Sequence, residues 1–298
     1  MTLSFFNFIY RVLMKLSRIF LKLANKWKPL NIQQRNIIRS TKYNMLQAPD
    51  EPYYVEQYWK VIHPYLDELS ENSHILDLGC GQGRFTLKLA KLFNQGHVIG
   101  CDLSATAITQ AKEYATRSGL SKNIEYRTQS ITDCLASCDE KSMDVILLTE
   151  VTVFYPEWQD DMPLIKKILK PGGILILSFR SLYFNALCSI RNRSWESIDT
   201  LLNERYGNIF GHSLVFTWQH SSEIKEFIVE SYGLELLELS GIGVCSGIKG
   251  DPHDYICKPS KLTIREREQL MKLELNLGKH IPDGGRYILV VARNTMTS

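Results

Sequence analysis

From His74 onward, short apolar runs alternate with segments whose apolar residues recur every three or four positions. The runs His74–Leu78, Gly96–Asp102, Ile124–Arg127, Met143–Thr149 and Ile174–Phe179 read as strands, with helices at Phe85–Leu92, Ala105–Ser118 and Met162–Leu169 between them. Strands alternating with helices at this spacing imply βαβ units, hence a parallel sheet with helices on both faces. A helix over 50–71 precedes the first strand, with Asp50 or Glu51 near its start and Pro52 in its first turn. The pattern becomes irregular from 182 to 211. It resumes with a helix at Ser222–Ser231 and strands at Leu234–Leu239 and Arg286–Ala292.

Residues 3–27 carry a different pattern. At helical period Arg11, Lys15, Arg18, Lys22 and Lys26 fall in one narrow arc, and most of the remaining face is apolar. A charge every three or four residues rules against a membrane span, because each central Lys or Arg costs roughly 2.5–3.5 kcal/mol. A secretory signal would keep its apolar stretch uninterrupted. Three readings stay open: a helix lying in an anionic membrane surface, a helix docked on the body, or a mitochondrial targeting helix if the source is eukaryotic. Charge sharpens the contrast. Residues 1–49 hold nine Lys/Arg and no Asp or Glu, while the other residues hold 26 basic and 32 acidic ones. A basic arm on an acidic body points to a peripheral membrane contact for the arm, and disfavours nucleic acid as a partner of the body. The seven cysteines, odd in number and partly inside apolar runs, fit reduced thiols in a cytoplasmic compartment.

The chemistry is concentrated in His74–Thr86, HILDLGCGQGRFT. A strand runs into Asp77-Leu78-Gly79-Cys80-Gly81-Gln82-Gly83, and a helix opens directly after. Glycines in such a turn let the main chain approach a ligand at the helix N-terminus. A dinucleotide site would place its third glycine at residue 84, which is Arg84. No G-K-[ST] phosphate loop follows either. D-x-G-x-G-x-G instead resembles the cofactor motif of the class I, Rossmann-like S-adenosylmethionine (SAM)-dependent methyltransferases.

Further segments carry the same resemblance. Val98-Ile99-Gly100-Cys101-Asp102-Leu103-Ser104 resembles the family's second strand, whose terminal acid accepts hydrogen bonds from both ribose hydroxyls. Lys170-Pro171-Gly172-Gly173 resembles its turn into the fifth strand, and Gly284-Gly285-Arg286-Tyr287-Ile288-Leu289-Val290-Val291 its antiparallel last strand. The resemblance implies an α/β fold with a seven-stranded, mainly parallel sheet and helices on both faces. It implies S-adenosyl-L-methionine as cofactor, lined by Asp77, Gly79, Cys80, Gly81, Gly83, Asp102, Leu103 and Thr149, with Ser130 or the main chain of Ile131 at the adenine edge. Residues 1–49 would form an arm and 50–298 the catalytic domain, with insertions 182–211 and 242–283 as a lid.

Departures from the family pattern narrow the chemistry. After the fourth strand the chain reads Glu150-Val151-Thr152-Val153-Phe154-Tyr155, where many small-molecule enzymes of the family read E-V-L-E-H. The second acid and the histidine are missing, so no divalent metal site is expected. The N-P-P-Y signature of base-amine methylation is absent too. Methyl transfer to an O or N atom of a small or lipid-linked acceptor is the expected reaction. A protein or peptide methyltransferase and a non-catalytic SAM-binding module are its rivals. A hydroxyl acceptor needs a base within reach, and the candidates are Glu150, Tyr155 and His253, with His212 and His220 behind them. Tyr53, Tyr54, Tyr58 and Trp59 either wall the acceptor pocket or belong to the core.

Overall fold

In the computed structural model, residues 44–210 and 214–295 are described; the predicted 3–27 helix and His212 lie outside them. The strands are β1 (His74–Leu78), β2 (His97–Asp102), β3 (Ile124–Thr128), β4 (Met143–Leu148), β5 (Leu169–Arg180), β6 (Tyr206–Asn208), β7 (Val215–Thr217), β8 (Glu235–Ile242) and β9 (Tyr287–Arg293). Seven of them form one sheet in the order β3-β2-β1-β4-β5-β9-β8. Neighbours from β3 to β5 run parallel, and β9 runs antiparallel to both β5 and β8. This is the expected mainly parallel sheet with an antiparallel last strand.

Alternation along each strand divides the interior into two layers. Ile75, Val98, Val145, Leu147, Ile174, Ile176, Leu289 and Val291 face one way. They pack on helix α1 (Glu51–Leu66) through Tyr54, Tyr58 and Ile62, and on α2 (Arg84–Leu92) through Phe85 and Leu89. Leu76, Leu78, Ile146, Leu148, Leu175, Leu177, Ile288 and Val290 face the other way, against Met162, Ile165, Ile224 and Ile228. A strand buried on both faces reads as a continuous apolar run, which is why these strands stand out in the sequence. Helix α3 (Ala105–Arg117) links β2 to β3, and its N-cap Ser104 accepts a hydrogen bond from the Ala107 N–H.

Several elements escape the pattern reading. The 182–211 stretch is not irregular. It holds α6 (Leu182–Asn192) and α7 (Ile198–Asn203), followed by β6, which pairs with β7 in a separate two-stranded sheet. The short α4 (Ile131–Ala136) precedes β4, and α5 (Trp158–Ile168) starts four residues earlier than its apolar period suggests. The predicted Ser222–Ser231 helix divides into α8 (Ser221–Glu226) and a π-turn over Phe227–Ser231. Within 242–283, α9 (Ile264–His280) lies against β8, with Gly278 beside the Gly241 carbonyl. Glu274 of α9 is fully buried and accepts hydrogen bonds from the Tyr53 hydroxyl (2.7 Å), the Cys245 N–H (2.7 Å) and the Ser246 N–H (2.9 Å). That carboxylate ties α9, α1 and the loop after β8 into one unit. No helix among the described residues is long and apolar enough to cross a membrane.

Candidate active site

In an open α/β sheet, ligands bind beyond the carboxyl ends of the strands where the winding reverses. Here that point lies between β1 and β4, which are adjacent although β2 and β3 separate them in the chain. The glycine turn leaves β1 on one side of the crevice, and Thr149-Glu150 leaves β4 on the other.

The turn is held by its own backbone. The N–H groups of Gly79 and Cys80 both donate to the Cys101 carbonyl, at 2.8 and 2.9 Å, which locks β1 to the end of β2. Gly79 has φ +70°, and a Cβ there would collide with the Val151 side chain. Gly81, at φ +54°, has open space where a Cβ would stand. Its N–H donates to Asp102 Oδ2 (2.9 Å), and Ser104 N–H donates to Asp102 Oδ1 (2.8 Å). Each Asp102 oxygen therefore retains a lone pair beside the space that Gly81 leaves free. The acid and the cradle suit a ribose diol, and so fit SAM. Burial holds Asp102 above its ordinary value, against the two N–H groups. Asp77 is buried and accepts from Thr86 Oγ1 (2.6 Å); burial, opposed by that bond, pushes it up to about 6. Leu103 and Ile131 are half-buried along the same rim, while Ser130 spends its hydroxyl capping α4. Among the described residues, the buried Gln129 Oε1 has no hydrogen-bond partner.

Across the crevice lies an ion-pair network that sequence reasoning missed. Arg84, noted only as a missing glycine, is buried at the first position of α2 and bridges Glu150 (2.8 Å) and Glu51 (3.1 Å). Glu150 has φ +57°, a strained conformation for a non-glycine residue and a frequent companion of function. Burial alone would raise Glu150, but Arg84 and then Arg286 outweigh it and hold the carboxyl low. Glu51 goes the other way: burial first, then the charge of Glu150, push it up despite Arg84. Its Oε1 is buried and has no hydrogen-bond partner among the described residues. A buried arginine preceded by G-x-G-x-G, with an acid at the start of the preceding helix, is the signal that would have found the pair.

The other candidates separate. Tyr155 donates to Asp161 (2.6 Å) and packs on the layer of α4 and α5. His253 is buried against the Phe184 ring, with Nδ1 unpartnered. His220 caps α8. Tyr53, Tyr54 and Tyr58 are buried in the core around α1, and Trp59 packs at its edge. Thr149 is buried at the end of β4.

A family model described as a methyltransferase domain matches residues 69–216. The tRNA 5-carboxymethoxyuridine methyltransferase of Escherichia coli K12 is 33% identical over 147 residues, 49% of this chain and 52% of that protein. The chain thus spans about half the length of that enzyme. The ubiquinone biosynthesis O-methyltransferase of Coxiella burnetii (strain Dugway 5J108-111) is 30% identical over 176 residues, 58% of this chain and 68% of that protein. A SAM-dependent methyltransferase from Methanosarcina mazei superposes with a TM-score of 0.53 at 19% identity, over 80% of this chain and 98% of that one. The geranyl diphosphate C-methyltransferase of Streptomyces coelicolor A3(2) gives 0.50 at 15%, over 80% and 78%. With a tRNA enzyme among these relatives, the acidic body does not support setting nucleic acid aside. Motif, sheet order and relatives agree: the chain belongs to the class I, Rossmann-like SAM-dependent methyltransferases.

Proposed function

We propose that the protein transfers the methyl group of SAM to an O or N atom of a small or lipid-linked molecule. The observation that carries this reading is the buried ion-pair network beside the glycine turn, where Arg84 bridges Glu51 of α1 and Glu150 after β4. SAM, when bound, supplies an electrophilic methyl group on a sulfonium. The residues must then hold the acceptor in line and take its proton. Glu150, kept ionised by Arg84, sits just after β4 and would offer negative charge to the sulfonium. Glu51 has the free oxygen and the raised carboxyl, so it is the better receiver of the acceptor proton. His253 is the second candidate, for its unpartnered Nδ1. The acceptor atom would take the methyl group that SAM supplies and give up its proton to Glu51. The insertions 182–211 and 242–283 would close over this crevice.

A nucleotide acceptor is the second reading, because the Escherichia coli relative is named for a tRNA base. A protein or peptide acceptor, or a SAM-binding module without turnover, would need the crevice to be spare. Tritium-labelled SAM, offered with a small-molecule extract, a lipid extract, total tRNA and total protein, separates these readings. Label in the first two fractions is expected. Label confined to tRNA or protein would overturn the small-acceptor reading, and SAM binding without label in any fraction would leave a binding module. The basic arm at 3–27 is proposed to carry the enzyme to an anionic cytoplasmic membrane surface, where a lipid-linked acceptor would be found.

A further inference from the structure

Four arginines cluster between Glu150, after β4, and Cys188 on α6. Arg84 holds Glu51 and Glu150, Arg286 faces Asp251 at 3.3 Å, and Arg191 holds Asp254 at 2.9 Å. Arg180 differs. Among the described residues no carboxylate lies within ion-pair distance of it, and its guanidinium makes one hydrogen bond, a long one of 3.4 Å to the Arg286 carbonyl. It ends β5 opposite Tyr287 in the ladder. Its guanidinium is stacked between two rings, 4.2 Å from the Tyr287 centroid and 4.9 Å from that of Phe184. Stacking fixes the plane and leaves the N–H edge as the polar face. The same charge helps to hold Glu150 low, so it acts close to the reacting end of β4.

Helix α6 supplies the second observation. Phe184, Asn185 and Ser189 share one inward face, and all three are at least 98% buried. Among the described residues, Asn185 Nδ2 and Ser189 Oγ have no hydrogen-bond partner. Leaving a buried donor unmade is costly, so two such donors on the helix whose Phe184 lies against an unpaired cation need an explanation. Arg180 and these two groups share one sign of chemistry. Arg180 and Asn185 Nδ2 can only donate, and Ser189 can donate as well. Their complement is a group that only accepts, with two or more oxygens and a negative charge.

We propose that the methyl acceptor carries an oxyanion, a carboxylate or phosphate, that docks on Arg180 with Asn185 and Ser189 beside it. This rests on the small-acceptor reading above and deepens it. The anionic group is held at the β5 end, and the nucleophilic atom is left to reach across to Glu150 and Glu51. Arg180 is thus an acceptor-binding residue that decides which molecules enter, and has no part in holding SAM.

The test is direct binding, independent of turnover. The full-length protein, saturated with S-adenosylhomocysteine, is titrated calorimetrically with inorganic phosphate and, separately, with benzoate. Saturable binding of one of them is expected, and which one binds distinguishes phosphate from carboxylate. Arg180→Gln should weaken it about ten- to a hundredfold, as expected for loss of a charge-assisted pair, while Arg180→Lys retains part and the affinity for S-adenosylhomocysteine is unchanged in both. No binding of either anion, or equal binding by wild type and Arg180→Gln, would overturn the inference. The labelling experiment above is read separately: label in the small-molecule or lipid fraction with no anion binding would leave the small-acceptor reading standing and remove only the oxyanion.

Discussion

The Arg84 guanidinium donates to the Glu150 carboxylate across 2.8 Å, with both side chains less than a tenth exposed. Together with Glu51 it joins α1, the start of α2 and the end of β4. Removing the cation from such a site strands two buried anions. Arg84→Ala should therefore lose about 3–5 kcal/mol in urea unfolding, whereas Arg84→Met combined with Glu51→Gln and Glu150→Gln should recover much of that loss. Equal losses for the single and triple variants would mean that packing, and not charge, is what Arg84 contributes.

The glycines of the turn have separable roles. Gly79→Ala brings a methyl group into Val151 and should cost several kcal/mol, of the size seen for overpacked cores. Gly81→Ala meets no neighbour and should cost only about 1–2 kcal/mol for its left-handed backbone, yet should abolish SAM binding because the methyl group occupies the cradle. Thermal unfolding beside SAM titration checks both. A Gly81→Ala protein that binds SAM normally would move the cofactor elsewhere.

SAM at a hundred times its Kd should stabilise the fold by roughly 2.7 kcal/mol, and NAD should not stabilise it. Asp102→Ala should lower SAM affinity about ten- to a hundredfold. It should also lower the Tm of the free protein, since Asp102 is the partner of the Gly81 and Ser104 N–H groups. Unchanged calorimetric affinity would place the ribose away from Asp102.

Asp77 makes stability depend on pH. Its carboxyl stands at about 6 in the fold against an ordinary value of 3.8. The fold thus favours the protonated form. This contribution is fully present below about pH 4 and is lost as pH rises through 6. Asp77→Asn should accordingly unfold later than wild type above pH 6, by on the order of 2 kcal/mol, with the gap closing towards pH 4. A constant difference across that range would show that Asp77 ionises normally in the fold.

If the arm meets an anionic surface, the full chain should co-sediment with anionic vesicles, and a chain starting at Asn31 should not. Five basic side chains contribute about 1 kcal/mol each near such a surface, so raised salt should release the full chain. Equal sedimentation of the two proteins would make the arm a packing element.

The sheet was legible because its strands are buried on both faces, and the cofactor turn because glycine spacing is a backbone requirement. The acceptor side was not. In α6 the buried face includes Asn185 and Ser189, while Tyr183 and Ile190 are about half exposed, so an apolar period cannot find the helix. In α9 the buried positions are Met271, Glu274 and Gly278, correctly spaced for a helix but only one of them apolar. Each helix buries one large apolar residue, Phe184 or Met271, among polar or small ones, and that weakens the period by which sequence announces a helix. Arg84 was visible only as a departure from another motif, because its partners stand 33 positions before it and 66 after it.

β9 is the last strand in chain order, yet it is seated between β5 and β8, and β8 has no other neighbour in the sheet. During synthesis the strands from β1 to β5 can pair as they emerge, while β5 keeps an open apolar edge, Ile174-Leu175-Ile176-Leu177, until more than a hundred further residues have been made. Such an edge is a template for pairing with other chains. Arg180 and Arg286, which flank the crevice, become neighbours only when β9 docks. A nascent chain is therefore most prone to aggregate just before Arg180 and Arg286 meet, and closing the sheet and assembling the proposed acceptor site are one event.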